Sequence, residues 1–233
     1  MNFSSGTCTF GLDKWLENLA DVKSAPFTVY DPIQRSTLLA WERRNGFQLP
    51  EDLQSFFLST DGIQLIWYAS DEKEISGQIK IFQLMTVKLL EKELAENVEN
   101  VKGDKVEKQY FVLGPADYDS GKVMIEKESK KLYYLDNSLV VHDIPCENFT
   151  EYYRLCILHC GVRSWHFIFT DVRIPLASLY LLRLVAPNRL KLYEDRFKEK
   201  PLDNNTAEED EEEISEEKKY IFDTNIIRSN LST

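Results

Sequence analysis

The apolar residues of this chain repeat first at helical spacing, then at strand spacing, then at helical spacing again. Leu12, Trp15, Leu16, Leu19 and Val22 fall three and four apart, which predicts an amphipathic helix over residues 11–23 with Trp15 in the core. Ala25-Pro26 breaks it. Asp31-Pro32 reads as an N-cap followed by proline at the first helical position, and opens a second helix through Asn45 carrying Leu38, Leu39 and Trp41. Gly46 suits the left-handed residue that closes such a helix. Leu49-Pro50 restarts the chain. Glu51 and Asp52 then place negative charge at the positive end of a third helix, whose stripe is Leu53, Phe56 and Phe57. Asp61-Gly62 stops it.

The period then shortens. Residues 63–68 and 78–84 alternate as strands around a charged turn at residues 70–76. Residues 86–98 return to helical spacing through Leu89, Leu90 and Leu94, and residues 99–108 form a polar loop. Four short strands follow, at residues 110–113, 122–126, 132–135 and 139–142. Their turns are Gly114-Pro115, Asp119-Ser120-Gly121, Ser129-Lys130-Lys131 and Asp136-Asn137-Ser138, which predicts one antiparallel meander. Asn148 with Glu151 three residues later is a capping box. The helix it opens is apolar almost all round from Tyr152 to Cys160, so burial on most faces is expected, and Gly161 ends it. Arg154 is its lone charge, expected either at a functional groove or, the favoured reading, in a buried pair with a carboxylate. Residues 165–169 alternate as a strand or as an aromatic-rich ordered loop. Pro175 opens a last helix through Val185 and Pro187 closes it. The order implies an α+β fold: a mainly antiparallel sheet packed by N- and C-terminal helices over residues 1–187, then a charged extension, residues 188–233.

Composition narrows the function. The 233 residues suffice for one α+β domain with a full core. No apolar run nears the roughly 20 residues that span a bilayer, and the N-terminal sequence lacks the basic and apolar regions of a secretory signal. No membrane partner is expected. Net charge is −11, and residues 208–219 carry −6 of it, an acidic run expected to be disordered by itself. Such a balance excludes a nucleic-acid surface over the whole molecule. Residues 188–200 run the other way, with Arg189, Lys191, Arg196, Lys198 and Lys200 against Glu194, Asp195 and Glu199. Cys8, Cys146, Cys156 and Cys160 lack zinc-ligand spacing and read as reduced, buried thiols. His142, His159 and His166 each sit among apolar residues, as hydrogen-bonded core histidines do. There is no phosphate loop, dinucleotide fingerprint, nucleophile elbow or paired-histidine metal helix. No catalytic, cofactor-binding or metal residue is assigned, and the expectation is a binding protein that is not an enzyme.

Two blocks carry a resemblance. Glu42, Leu49-Pro50, Glu51-Asp52, Phe56-Phe57 and Asp61-Gly62 resemble the start of a SUKH-type domain. Tyr152, Tyr153, Arg154, Leu155, His159, Gly161, Trp165, Phe167, Phe169 and Thr170 resemble a segment of the tubulin polyglutamylase complex subunit 2 family. Trp41, Glu42, Asn45, Pro50, Glu51, Asp52, Phe56, Gly62 and Trp67 match that family too, as do residues 120–123 and Leu135-Asp136. The likeness covers roughly residues 37–190. It implies a SUKH-like fold and a non-catalytic module of microtubules or cilia, either an accessory subunit of the glutamylating complex or a structural axonemal relative. Its implied partners are tubulin and other ciliary or complex proteins; its implied place is the cytoskeleton, at an axoneme or basal body. The family's tail is basic and rich in Ser, Pro and Gly, whereas residues 208–217 here are acidic. Because tubulin surfaces are acidic, the candidate partner-binding residues are Arg154, Arg189, Lys191, Arg196, Lys198 and Lys200. The alternative is a SUKH-type regulatory or immunity-like domain that binds an unrelated protein.

Overall fold

The computed structural model describes residues 11–69, 76–116 and 121–198, with the side chains of residues 192 and 194–198 left aside. It is an α+β structure with two sheets where the sequence predicts one. Helix α1 (Leu12–Glu17) is followed by strand β1 (Phe27–Val29), and the helices α2 (Arg35–Asn45) and α3 (Glu51–Ser59) precede β2 (Ile63–Trp67) and β3 (Gly77–Ile81). The order β1-β2-β3 makes an antiparallel three-stranded sheet. The second sheet holds β4 (Lys88–Leu89), β5 (Glu99–Asn100), β6 (Tyr110–Pro115), β7 (Lys122–Glu126), β8 (Leu132–Leu135) and β9 (Val140–Asp143). Its order is β4-β6-β7-β8-β9-β5, and β5 alone runs parallel to its neighbour. The predicted meander is β6 to β9. The sheets meet where Phe82 N–H donates to the Leu113 carbonyl at 2.8 Å.

The second sheet is buried on both faces. One face joins Tyr110, Met124, Tyr133, Leu135 and Val141 to Leu90 and Val98. The other carries Phe111, stacked on Phe47 at 4.8 Å and tilted against Trp41 at 5.4 Å, so α2 packs there. Gly46 closes α2 with φ 56°, as expected.

Several expectations are overturned by tertiary pairing. Trp15 is 44% exposed rather than core, because α1 spans only six residues and turns its buried face through Leu12 and Leu16. Residues 30–33 are tied by backbone bonds to Gly62 and Phe57, so α2 starts after Gln34 rather than at Asp31-Pro32. The helix predicted over residues 86–98 shrinks to α4 (Lys92–Ala95). Lys88 and Leu89 pair with β6 instead, and Leu90 N–H donates to the Tyr110 carbonyl at 2.7 Å: an open sheet edge outweighs helical periodicity. After α5 (Phe149–Leu158), residues Trp165–Phe169 form a 3-10 helix. Trp165, His166 and Ile168 are all buried, the helical turn folding them inward with no partner strand alongside among the described residues. Pro187 follows α6 (Leu176–Val185) and opens α7 (Pro187–Lys198) rather than only closing what precedes it. The chain divides into two compact units between Leu190 and Lys191. Cys8, Lys200, the acidic run and most of the 70–76 and 119–121 turns lie outside the described residues.

Candidate functional site

Residues of the two resemblance blocks touch one another. The Asp52 carboxylate accepts from Thr150 N–H at 2.7 Å and from its hydroxyl at 3.1 Å, tying the first turn of α3 to that of α5. Phe56 packs edge-on to Phe149 at 4.9 Å and lies 6.1 Å from Tyr153. Trp67 donates from its indole nitrogen to the Cys160 carbonyl at 2.7 Å, 93 residues away. Gly161 has φ 58°, and a Cβ there would press on the Gln78 carbonyl and lie 2.7 Å from Ile79 Cγ1; only glycine lets β3 and the end of α5 approach this closely. Glu42 turns inward, accepting from Leu49 N–H at 2.9 Å and Gln54 Nε2 at 3.2 Å. These matched residues hold the scaffold together.

Behind α5 runs a column of stacked rings. Tyr134 stacks on His166 at 4.7 Å, His166 on Trp165 at 4.0 Å, and Trp165 on His159 at 4.6 Å. Burial pushes His159 down to about 4, helped by the nearby Arg189 and opposed by its hydrogen bond to the Leu155 carbonyl. Burial likewise pushes His166 down to about 3, with His159 adding to it. Both imidazoles are neutral at pH 7. His142 Nε2 pairs with Asp136 Oδ2 at 2.8 Å, and His166 Nε2 lies 3.4 Å from the Tyr152 hydroxyl. Burial pushes the thiols of Cys146, Cys156 and Cys160 up to about 12, so they stay protonated rather than forming the nucleophilic thiolate. All three are free cysteines. No group of His, Cys, Asp and Glu able to hold a metal occurs among the described residues.

An acid sits in the second sheet. Glu126, 5% exposed, accepts from Ser129 Oγ at 2.6 Å, Lys108 Nζ at 3.0 Å and the Tyr133 hydroxyl at 3.2 Å. Burial raises its pKa, but those bonds and the Lys108 charge outweigh burial and hold the carboxyl below its usual range. All three donors converge on one carboxylate oxygen, Oε2. An open cleft of about 490 Å³ beside it is lined by Lys102, Lys108, Tyr110, Tyr133 and Asp143 among others, and carries both signs of charge.

The sequence-predicted binding residues fare unequally. Arg154 is exposed and makes no ion pair among the described residues; the buried carboxylate pair is overturned. The reason is the face it occupies: Thr150, Arg154 and Leu158 form the solvent stripe of α5, which is therefore only half buried. Arg189 is half-buried and close enough to His159 to oppose its protonation, which places it by the C-terminal end of α5. Arg154 lies five residues before His159, about 7.5 Å along the axis. Lys191 is exposed on α7. Arg196 and Lys198 belong to the same helix, and Lys200 falls outside the described residues. Sequence reasoning missed the exposed arginines of α2, Arg35, Arg43 and Arg44; the signal was their place on a helix whose one acid, Glu42, faces inward.

What these features define is an α+β scaffold whose buried polar groups maintain the fold, with cations displayed on its helices. By sequence the chain is similar to tubulin polyglutamylase complex subunit 2. It is 26% identical to the proteins of Rattus norvegicus and Mus musculus over 71% of its own length and 66% of theirs. The Homo sapiens protein is also 26% identical, with 65% of it covered. The match thus spans just under two thirds of these relatives. No protein-family model matches the chain, and no solved structure does.

Proposed function

We propose that this chain is a non-catalytic accessory module of the tubulin cytoskeleton, acting within a tubulin-glutamylating assembly or as a fixed component of the ciliary axoneme. One observation carries the reading: the likeness to tubulin polyglutamylase complex subunit 2 across 71% of the chain. Neutral buried histidines, protonated thiols and a buried carboxylate held ionised by Ser129, Lys108 and Tyr133 support a binding role over a chemical one. Among the described residues no helix is long and apolar enough to cross a membrane.

The test locates a tagged full chain in ciliated cells and sediments the purified chain with microtubules. The expected result is signal at the axoneme or basal body, co-sedimentation that weakens as salt rises, and no glutamate added to tubulin by the chain alone with ATP and glutamate. Absence from microtubules at every salt concentration would favour the SUKH-type alternative, a domain that binds an unrelated protein. Glutamate incorporation by the chain alone would overturn the non-catalytic reading.

A further inference from the structure

We propose that the exposed face of α2 is a docking groove for a glutamate-rich polypeptide segment. This goes beyond the accessory reading and does not use the C-terminal cations. The groove is open, about 360 Å³, and lined by Ser36, Thr37, Ala40, Trp41, Arg44 and Met85. No carboxylate lines it. Its polar groups are a guanidinium, two hydroxyls and an indole, all able to donate hydrogen bonds. The Trp41 indole nitrogen is buried with no hydrogen-bond partner, and its ring is packed against Phe47 and Phe111.

Charge selects the occupant. Arg35, Arg43 and Arg44 are exposed, and none makes an ion pair among the described residues. The single acid of α2, Glu42, is 9% exposed and committed to Leu49 and Gln54. A chain of net charge −11 therefore exposes no acid on this helix, and the one charge lining the groove is the Arg44 guanidinium. The Gln34 side chain accepts from the Ser36 hydroxyl at 3.5 Å but from no backbone N–H of the first turn, so the positive end of the helix dipole is open beside Ser36. Ser36 and Arg44 mark the two positive poles, eight residues or about 12 Å apart. An extended peptide rises about 3.4 Å per residue and alternates its side chains, so carboxylates about four positions apart reach both poles. Between them Ala40 and the 48%-exposed Met85 offer apolar contact for the two methylenes of a glutamate side chain.

The experiment is fluorescence anisotropy of labelled polyglutamate and polyglutamine peptides of equal length against the full chain. The variants are Arg44→Glu, Met85→Glu and the double substitution Arg154→Glu/Lys191→Glu, each checked by thermal melting. The glutamate peptide should bind at low salt and the glutamine peptide should not. Arg44→Glu should weaken binding about tenfold or more, Met85→Glu should also weaken it, and the Arg154/Lys191 variant should weaken it less than Arg44→Glu does. The Trp41 indole N–H resonance should shift on titration. Equal binding of both peptides, unchanged binding by folded Arg44→Glu and Met85→Glu, or tighter binding of a single-stranded oligonucleotide would each overturn the proposal. Microtubule co-sedimentation of the Arg154/Lys191 variant reports on the accessory reading separately.

Discussion

His159 and His166 show how side-chain burial becomes a property of the folded chain. Both are 2% exposed, and their folded pKa values lie near 4 and 3. The unfolded chain takes up protons below about 6.5, while the folded chain refuses them until those lower values are reached. Stability therefore falls as pH drops from 6.5, and the fall continues to about pH 4 for His159 and about pH 3 for His166. At pH 5 each histidine costs about 2 kcal/mol. Urea unfolding at pH 7 and pH 5 should show the loss, and His166→Phe should remove about half of it by keeping the ring stack without that histidine's titration. Equal stability of the wild type at the two pH values would contradict the assignment. The burial of these histidines was legible from their apolar neighbours. The exposure of Trp15 and Arg154 was not: a residue's face depends on where its helix begins and what packs on it.

Elements are joined by few, specific contacts. Asp52 is the clearest case, since its carboxylate holds both the amide and the hydroxyl of Thr150 across the α3–α5 junction. Asp52→Ala should cost about 1–3 kcal/mol in chemical denaturation. Thr150→Ala in the same background should add little, because the two share one interaction; additive losses would show that the junction is held elsewhere. The cap of α5 was readable in advance, with Asn148 Oδ1 accepting from Glu151 N–H at 2.9 Å. The helix expected over residues 86–98 was not, because its fate depended on the free edge of β6, formed by residues further along the chain.

For the whole molecule the governing quantity is the distribution of charge. Residues 150–198 hold eight Arg and Lys against four Asp and Glu, within a chain of net charge −11. If the accessory reading holds, the exposed members of this set contribute to docking on acidic tubulin surfaces. Leu190 is buried, so truncation within α7 would disturb packing as well as charge. The cleaner test is Arg154→Glu/Lys191→Glu, both at exposed positions. Microtubule co-sedimentation of this variant should fall several-fold at low salt and converge with the wild type at high salt, where exposed charges are screened within about 3 Å at 1 M. An unchanged low-salt isotherm would remove these two cations from the mechanism.

Local stereochemistry and hydrophobic period were enough to place α2, α3, α5 and α6, the Gly46 and Gly161 stops, the β6–β9 meander and the likeness to subunit 2. These follow from neighbours within a few residues, where caps, glycine conformations and side-chain alternation act. Partition into two sheets, capture of Lys88-Leu89 by β6, the 3-10 turn at Trp165–Phe169 and the outward face of Arg154 were decided only in three dimensions. Each depends on a backbone edge or an apolar face contributed by a distant segment. The groove on α2 belongs with them: the sequence shows three arginines and one glutamate, and only the inward turn of Glu42 toward Leu49 and Gln54 leaves the exposed side of that helix without an acid.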